Sequence, residues 1–211
     1  MTAPAAQLAQ RSATGGKFLP HHVAPAWLPA DLAAGLLHHA IENEARFRAG
    51  SLVHSGKIIV DPSIRQTSVL DDVGLGPFLA PLVAAALAAQ PALAARFGMP
   101  HFTASSVEVE LAAHGDGAHF NSHIDTFVVQ NKRPNPRLLT LVLYLNRLPC
   151  GFSGGALRLH ALGSAAFHDI MPEHNKLVAF PSITRHSVQP ISCPSAAFAD
   201  RRFAVNMWLH S

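Results

Sequence analysis

Cysteine, tyrosine and charge are all scarce in this chain. Cys150 and Cys193 are the only cysteines among 211 residues. Neither sits in a CxxC-like spacing, which excludes a cysteine zinc site. The two could pair, but two free thiols in a reducing cytoplasm is the simpler expectation. Charged residues make up 14% of the chain and the net charge is +3. With no Lys/Arg run, nucleic acid is not an expected partner. No basic-then-apolar start precedes a cleavage site, so no secretory leader is read and a cytoplasmic location is expected. Phe78 to Ala95 is the one long apolar stretch. It is mostly alanine and carries Pro81, Gln90 and Pro91, so it reads as a core-packing helix rather than a membrane span.

What is present suits a folded globule: hydrophobic residues reach 49%, and the length allows one domain with a substantial core. Residues 1–16 are rich in Ala, Gln, Ser and Gly and predict a flexible arm ahead of a single domain over 17–211. Pro29-Ala30-Asp31 predicts a helix to about Arg48, stopped by Gly50. Leu52 to Val60 reads as a strand or hairpin arm, broken by Asp61-Pro62. Pro77 to Phe97 reads as helix, divided at Pro91. These segments form a helical support over about 29–97.

From about residue 105 the texture changes. Val107 to Leu111 alternates like a half-buried strand. His114-Gly115-Asp116-Gly117 reads as a turn. Phe120 to Val129 reads as extended, and Lys132 to Pro136 as a basic loop. Leu138 to Leu145 is a nearly continuous apolar run, the mark of a strand covered on both faces. Ala156–Ala161, Phe167–Ile170, Leu177–Phe180, Ser187–Ile191 and Phe203–Leu209 follow as short strands. Helices first and many short strands after predict an α+β fold, mainly β: a sandwich or open barrel over 105–210 with helices on one face.

Histidine is abundant at 14 copies, and most, such as His21, His22, His38 and His39, lie far from any ligand pattern. Spacing singles out His123-Ile124-Asp125. Residues two apart on a strand project from one side. Two histidines and one carboxylate cover one face of an iron(II) ion and leave the other face open. His-x-Asp alone also describes a surface pair, so a third ligand from a distant strand is needed. His186 qualifies, between Phe180-Pro181-Ser182 and Ser187-Val188-Gln189-Pro190, although a loop histidine fits the same position. Arg202 opens a strand whose alternate members Arg202, Ala204, Asn206 and Trp208 face one way. An arginine there holds a carboxylate through its planar fork; an exposed strand arginine is the plainer alternative, which Arg201 fits better. Tyr144, the only tyrosine, lies inside the apolar run, where its hydroxyl needs a carboxylate or a backbone carbonyl as partner.

Five stretches then fall in one order: His123 to Asp125 (HID), Arg137 to Asn146 (RLLTLVLYLN), Gly154 to Leu159 (GGALRL), His186 to Pro190 (HSVQP) and Arg202 to Trp208 (RFAVNMW). Over 105–210 the chain resembles the iron(II)/2-oxoglutarate-dependent oxygenases, in particular their prolyl-hydroxylase-like branch. The resemblance implies a double-stranded β-helix (jelly-roll, cupin-like) core. It implies His123, Asp125 and His186 as iron ligands, with Arg202 and the Tyr144 hydroxyl anchoring the distal carboxylate of 2-oxoglutarate. Thr140 and Asn206 would lie near that cosubstrate. It further implies dioxygen as oxidant, ascorbate as an accessory reductant, and hydroxylation of an unactivated C–H bond with release of succinate and carbon dioxide.

The sequence departs from that pattern in two places. Ala113 stands where oxygen-sensing prolyl hydroxylases carry a tyrosine, ten residues before the first ligand, and the loop Thr126 to Pro136 is this chain's own. A protein residue such as proline, a free amino acid and a small metabolite all remain open as substrates. A nucleic-acid demethylase of the same superfamily would carry a second arginine six residues after Arg202, where Trp208 stands. A non-enzymatic metal-binding jelly roll and a zinc hydrolase using Asp169 or Glu173 as base complete the rivals. Arg65 is a candidate for the pocket mouth, with a plain surface salt bridge the simpler expectation. His119, Phe120 and Asn121 are candidates for the substrate side.

Overall fold

A computed structural model describes residues 16–54, 57–126 and 135–211. The expected N-terminal arm, but for Gly16, lies outside the described residues. So do residues 127–134, which take in the far end of the expected Phe120–Val129 strand and most of the 132–136 loop.

Two antiparallel sheets make the architecture. The larger runs in the order His22–Ala24 (β1), Lys176–Pro181 (β12), Arg137–Leu145 (β8), Arg202–His210 (β15), Ser106–His114 (β6), Ser68–Leu70 (β5) and Arg48–Ala49 (β2). The smaller runs Phe167–Ile170 (β11), Leu157–His160 (β10), His186–Val188 (β13) and Phe120–His123 (β7). Two short pairs stand apart, Leu52–His54 (β3) with Lys57–Ile59 (β4) and Ser153–Gly154 (β9) with Ile191–Ser192 (β14). The expected Ser187–Ile191 strand is therefore two pieces, parted around Pro190, which has no N–H for a ladder.

The period of two in the strands sorts side chains into two cores. On one face of the large sheet Leu139, Leu141, Leu143 and Leu145 of β8 join Phe203, Val205, Met207 and Leu209 of β15. The helices Ala30–Glu42 (α1) and Leu79–Arg96 (α3) cover that face with Leu36, Leu82 and Leu93. On the other face Val142, Tyr144, Val178, Phe180 and Ala204 meet Leu157, Leu159 and Ile170 of the smaller sheet. Strand β8 reads as a continuous apolar run because it is covered on both sides. This two-sheet body with helices against its outer face is the double-stranded β-helix arrangement expected.

The helices differ from expectation in three ways. α1 ends at Glu42, short of Arg48, because the Asn43 side-chain amide donates to the His39 carbonyl at 2.9 Å and the chain tightens into a 3₁₀ turn over Glu44–Arg46. A short helix, Asp72–Leu75 (α2), precedes α3 and was not read from the sequence. Its signal is Asp71, whose carboxylate accepts from the Gly74 N–H at 2.8 Å. α3 itself runs unbroken through Pro91. Gln90 and Leu93 on either side of the proline are buried, and the Gln90 amide donates to the Phe102 carbonyl, so packing holds both halves in line. The Asp72–Arg96 stretch is long and apolar enough, by length and composition, to cross a membrane. Here its face bearing Leu82, Ala86 and Leu93 packs on the large sheet.

Candidate active site

The smaller sheet brings the sequence-distant histidines together. β7 pairs with β13 so that His123 stands opposite His186, ring centroids 4.2 Å apart. Backbone carbonyls set each ring's tautomer. His123 Nδ1 lies 2.7 Å from the Asn121 carbonyl oxygen, and His186 Nδ1 lies 2.9 Å from that of Thr184. A carbonyl only accepts, so both Nδ1 atoms carry a proton, and in the neutral rings the ligating lone pairs are on Nε2. They converge on Asp125, at 3.6 Å from Oδ1 for His123 and 3.6 Å from Oδ2 for His186. One ligand atom from each of the three residues lies within 4.8 Å of the others. Acceptor atoms facing acceptor atoms repel one another; a cation among them turns that cost into binding.

Asp125 lies past the end of β7 rather than on it. The same-side argument from strand alternation therefore does not place it. Its backbone N–H donates to the Ser182 carbonyl at 3.0 Å, and the Thr140 hydroxyl donates to Oδ2 at 2.8 Å. Thr140, expected beside the cosubstrate, thus orients the carboxylate while also lining the chamber. Enclosure, reinforced by His186, pushes the His123 imidazole down to about 3, so it is neutral at ordinary pH. Burial works against ionisation of Asp125, but attraction to His186 and His123 as they protonate, with the Thr140 hydroxyl, outweighs it and holds the carboxyl below its usual range.

Strands β6 and β15 supply the rest as a ladder of facing pairs: Arg202 with His114, Asn206 with Glu110, Trp208 with Glu108. At the deep end Arg202 is only 1% exposed and makes no ion pair among the described residues. Its Nη1 lies 3.2 Å from His114 Nδ1, and its guanidinium stands 4.8 Å from the centre of the Tyr144 ring. Arg202 Nε and the Tyr144 hydroxyl are buried without hydrogen-bond partners among the described residues. Gly155 makes room: a Cβ there would fall 2.8 Å from Arg202 Cδ. A buried, unpaired guanidinium beside an unpartnered phenol is costly alone, and a ligand carboxylate offsets that cost. The residues fit a divalent metal at one end and a carboxylate at the other.

The inner chamber has a volume of about 50 Å³ and holds His123, Asp125 and His186 together with Arg202, His114 and Asn206. It shares Arg65, Phe120 and Trp208 with an outer cleft of about 520 Å³, lined also by Leu52, Ile58 and Ile64. Tyr144 packs beside Arg202 in the core between the sheets, its hydroxyl unpartnered among the described residues. The Asn206 amide donates to Glu110 at 3.4 Å. Arg65 does reach the pocket mouth, and it forms an internal salt bridge there, to Glu110. Phe120 and Asn121 line the cleft, whereas the His119 ring turns toward the Gly117 and Ser63 carbonyls. Asp169 is held by both arms of Arg158 and Glu173 pairs with Lys176, so neither is placed as a hydrolytic base. Cys150 and Cys193 are both free.

Four residues around the site were not read as such. His114 was assigned to a turn but ends β6 and is buried. Glu108 and Glu110 alternate as on any half-exposed strand, yet their face is the cleft. Arg137 stacks on Trp208 at 3.9 Å and pairs with Glu108. For Glu108 and Glu110 the signal was the alternation itself, read against the wrong neighbour.

His114 gives a pH-dependent stability. Burial first, then the charges of Arg202 and Arg65, hold its imidazole well below its ordinary 6.5. Below that pH the unfolded chain takes up a proton that the folded chain refuses, so stability falls as pH falls. His114→Asn is expected to flatten this acid limb by up to about 1.4 kcal/mol per pH unit, read from urea midpoints at successive pH values. Parallel limbs in the two proteins would contradict the assignment.

Comparison with known proteins agrees with this geometry. The profile of the 2OG-Fe(II) oxygenase superfamily matches residues 109–210. A PKHD-type hydroxylase of Synechocystis, itself uncharacterised, is 33% identical over 127 residues, covering 56% of this chain and 41% of that protein. The chain thus spans well under half of that relative's length. Among solved structures, a Pseudomonas putida prolyl-4-hydroxylase superposes with a TM-score of 0.67 at 22% identity, covering 90% of this chain and 92% of that one. A Trichoplax adhaerens prolyl hydroxylase, in complex with a hypoxia inducible factor peptide fragment, gives 0.64 at 20% identity, covering 90% and 82%. At such identities the likeness is one of fold. Iron(II), 2-oxoglutarate and dioxygen are the cofactors of the matched family, and the His–Asp–His cluster and the buried arginine fit them. Over residues 109–210 the chain is similar to the 2OG-Fe(II) oxygenase superfamily, and its fold is that of the solved prolyl hydroxylases.

Proposed function

We propose that this protein is an Fe(II)- and 2-oxoglutarate-dependent dioxygenase that hydroxylates an unactivated C–H bond of an amino-acid residue or a small metabolite, releasing succinate and carbon dioxide. One observation carries the reading: a converging His123–Asp125–His186 cluster and a buried Arg202 without an ion pair share one chamber. In this reading His123 Nε2, His186 Nε2 and one Asp125 oxygen hold the iron. When bound, the metal with 2-oxoglutarate and dioxygen supplies the oxidising power that no side chain has.

The chain's own residues do the positioning. The Asn121 and Thr184 carbonyls keep both imidazoles in the ligating tautomer, and Thr140 fixes the carboxylate between them. Arg202 takes the distal carboxylate of 2-oxoglutarate, with the Tyr144 hydroxyl donating to the same group. Val142, Leu157, Val188 and Ala204 line the inner chamber and keep water from it. The substrate enters through the outer cleft, past Phe120 and Trp208.

An amino-acid residue within a peptide is the substrate class best supported. The cleft of about 520 Å³ is large enough for a residue with its neighbours, and a structural neighbour is described with a bound peptide fragment. A nucleic-acid substrate is disfavoured, because the cleft's arginines are already matched: Arg65 pairs with Glu110 and Arg137 with Glu108. Incubation with iron(II), ascorbate, oxygen and 2-oxoglutarate is expected to yield succinate, more of it in the presence of a proline-containing peptide mixture. Iron-loaded protein that consumes no 2-oxoglutarate with any amino-acid, peptide or metabolite mixture would contradict the reading.

A further inference from the structure

Strand β6 presents Glu108, Glu110 and His114 to the cleft and chamber, and each meets one arginine. Glu108 pairs with Arg137 and Glu110 with Arg65. Those two arginines are neutralised within the protein. Arg202 is treated differently. Its partner on the same strand face is an imidazole, at 3.2 Å. A guanidinium only donates, so Nδ1 of His114 must be the acceptor and the ring must be neutral. Burial beside Arg202 and Arg65 favours the same neutral form. The fork is thus held in place while its charge stays uncompensated.

Three more contacts restrict where the fork points. The Tyr144 ring lies 4.8 Å from the guanidinium carbon, and Gly155 backs the Arg202 stem so closely that a Cβ there would fall 2.8 Å from Cδ. Arg202 is 1% exposed, so solvent does not compete for the fork. A carboxylate at position 114 would close the fork as Glu110 closes Arg65. A hydrocarbon there would leave Nη1 without a partner and the fork without an aim.

We infer that His114 is a positioning residue for the cosubstrate: it aims the Arg202 guanidinium through a neutral hydrogen bond and thereby leaves the positive charge available to the ligand's carboxylate. The inference rests on the oxygenase reading, since it takes 2-oxoglutarate as the ligand. Position 114 then decides whether the site attracts a carboxylate or is satisfied without one.

The test measures binding rather than turnover. Wild type, His114→Asn, His114→Asp and His114→Leu are loaded with manganese(II) in place of iron and titrated calorimetrically with 2-oxoglutarate, with melting temperatures taken on the same samples. Asparagine keeps a neutral acceptor near the place of Nδ1, and is expected to bind within about threefold of wild type. Leucine removes the acceptor and is expected to weaken binding about tenfold or more. Aspartate, which differs from asparagine only in charge, is expected to weaken it by about a hundredfold or more. Aspartate binding as tightly as asparagine would overturn the inference, as would leucine binding like wild type. If the leucine variant fails to fold, the asparagine–aspartate comparison decides alone. Wild type that takes up manganese but no 2-oxoglutarate would instead sink the oxygenase reading and the inference with it.

Discussion

Arg202→Leu is expected to abolish 2-oxoglutarate binding, leave metal uptake intact, and make the ligand-free protein more stable. The three effects have one origin. Arg202 is enclosed by the sheets, carries a charge, and among the described residues its guanidinium meets the His114 imidazole and the Tyr144 ring without an ion pair. Losing the cation that receives a buried carboxylate costs about 2–5 kcal/mol of binding, a factor of roughly thirty to several thousand. The same substitution removes an unpaired buried charge from the empty chamber and puts a hydrocarbon in its place. That is worth about 1–2 kcal/mol even after the hydrogen bond to His114 is lost, or several degrees of melting temperature. His123 and His186 of the proposed metal site stand on β7 and β13 and keep their own carbonyl partners, and Asp125 keeps Thr140, so metal affinity is expected to be unchanged. Calorimetry with 2-oxoglutarate and a melting curve on one sample check all three. A variant that binds 2-oxoglutarate normally would remove Arg202 from the site; one that is grossly unfolded would show that its role is structural.

Asp125→Asn is expected to lose metal binding and, again, to gain stability without it. The two Nε2 lone pairs converge on a carboxylate that offers only acceptors in return. An amide in that place supplies N–H donors, so one imidazole nitrogen gains a hydrogen bond worth about 1 kcal/mol. The Thr140 hydroxyl can still donate to the amide oxygen. The proposed iron site loses its carboxylate, and affinity is expected to fall by on the order of 3–4 kcal/mol, several hundredfold. Metal content after dialysis and melting temperature with and without metal are the measurements. Wild-type affinity in this variant would mean that the metal sits elsewhere.

Both variants point to how the molecule is legible from its sequence. The parts that periodicity governs were readable. Leu138 to Leu145 announces a strand buried on both faces because two cores do meet there. Arg202, Ala204, Asn206 and Trp208 share one wall, as their spacing of two requires. His123 and His186 are brought together by strand pairing, which the place of His186 at the start of a strand allowed and the resemblance to a family implied.

What stayed hidden depends on partners remote in sequence. Alternation shows that Glu108, Glu110 and Val109 divide between two faces, but not that the polar face is a cleft carrying Arg65 and Arg137. His114 looked like the start of a glycine turn because the residue that holds it, Arg202, lies on a strand at the far end of the chain. Pro91 suggested a break that burial of Gln90 and Leu93 overrides. Asp125 was placed correctly beside His123 by an argument that fails in detail, since the strand ends first and Ser182 and Thr140 do the placing.

The central claim is that the His–Asp–His cluster and Arg202 bind iron(II) and 2-oxoglutarate together. It is tested most directly by adding both, without oxygen, to metal-stripped protein and recording the visible spectrum for the metal-to-ligand charge-transfer band of chelated 2-oxoglutarate. The band is expected in the wild type, absent in His123→Ala and strongly weakened in Arg202→Leu. Iron bound tightly by the wild type with no such band would contradict the account and leave a metalloprotein of another kind.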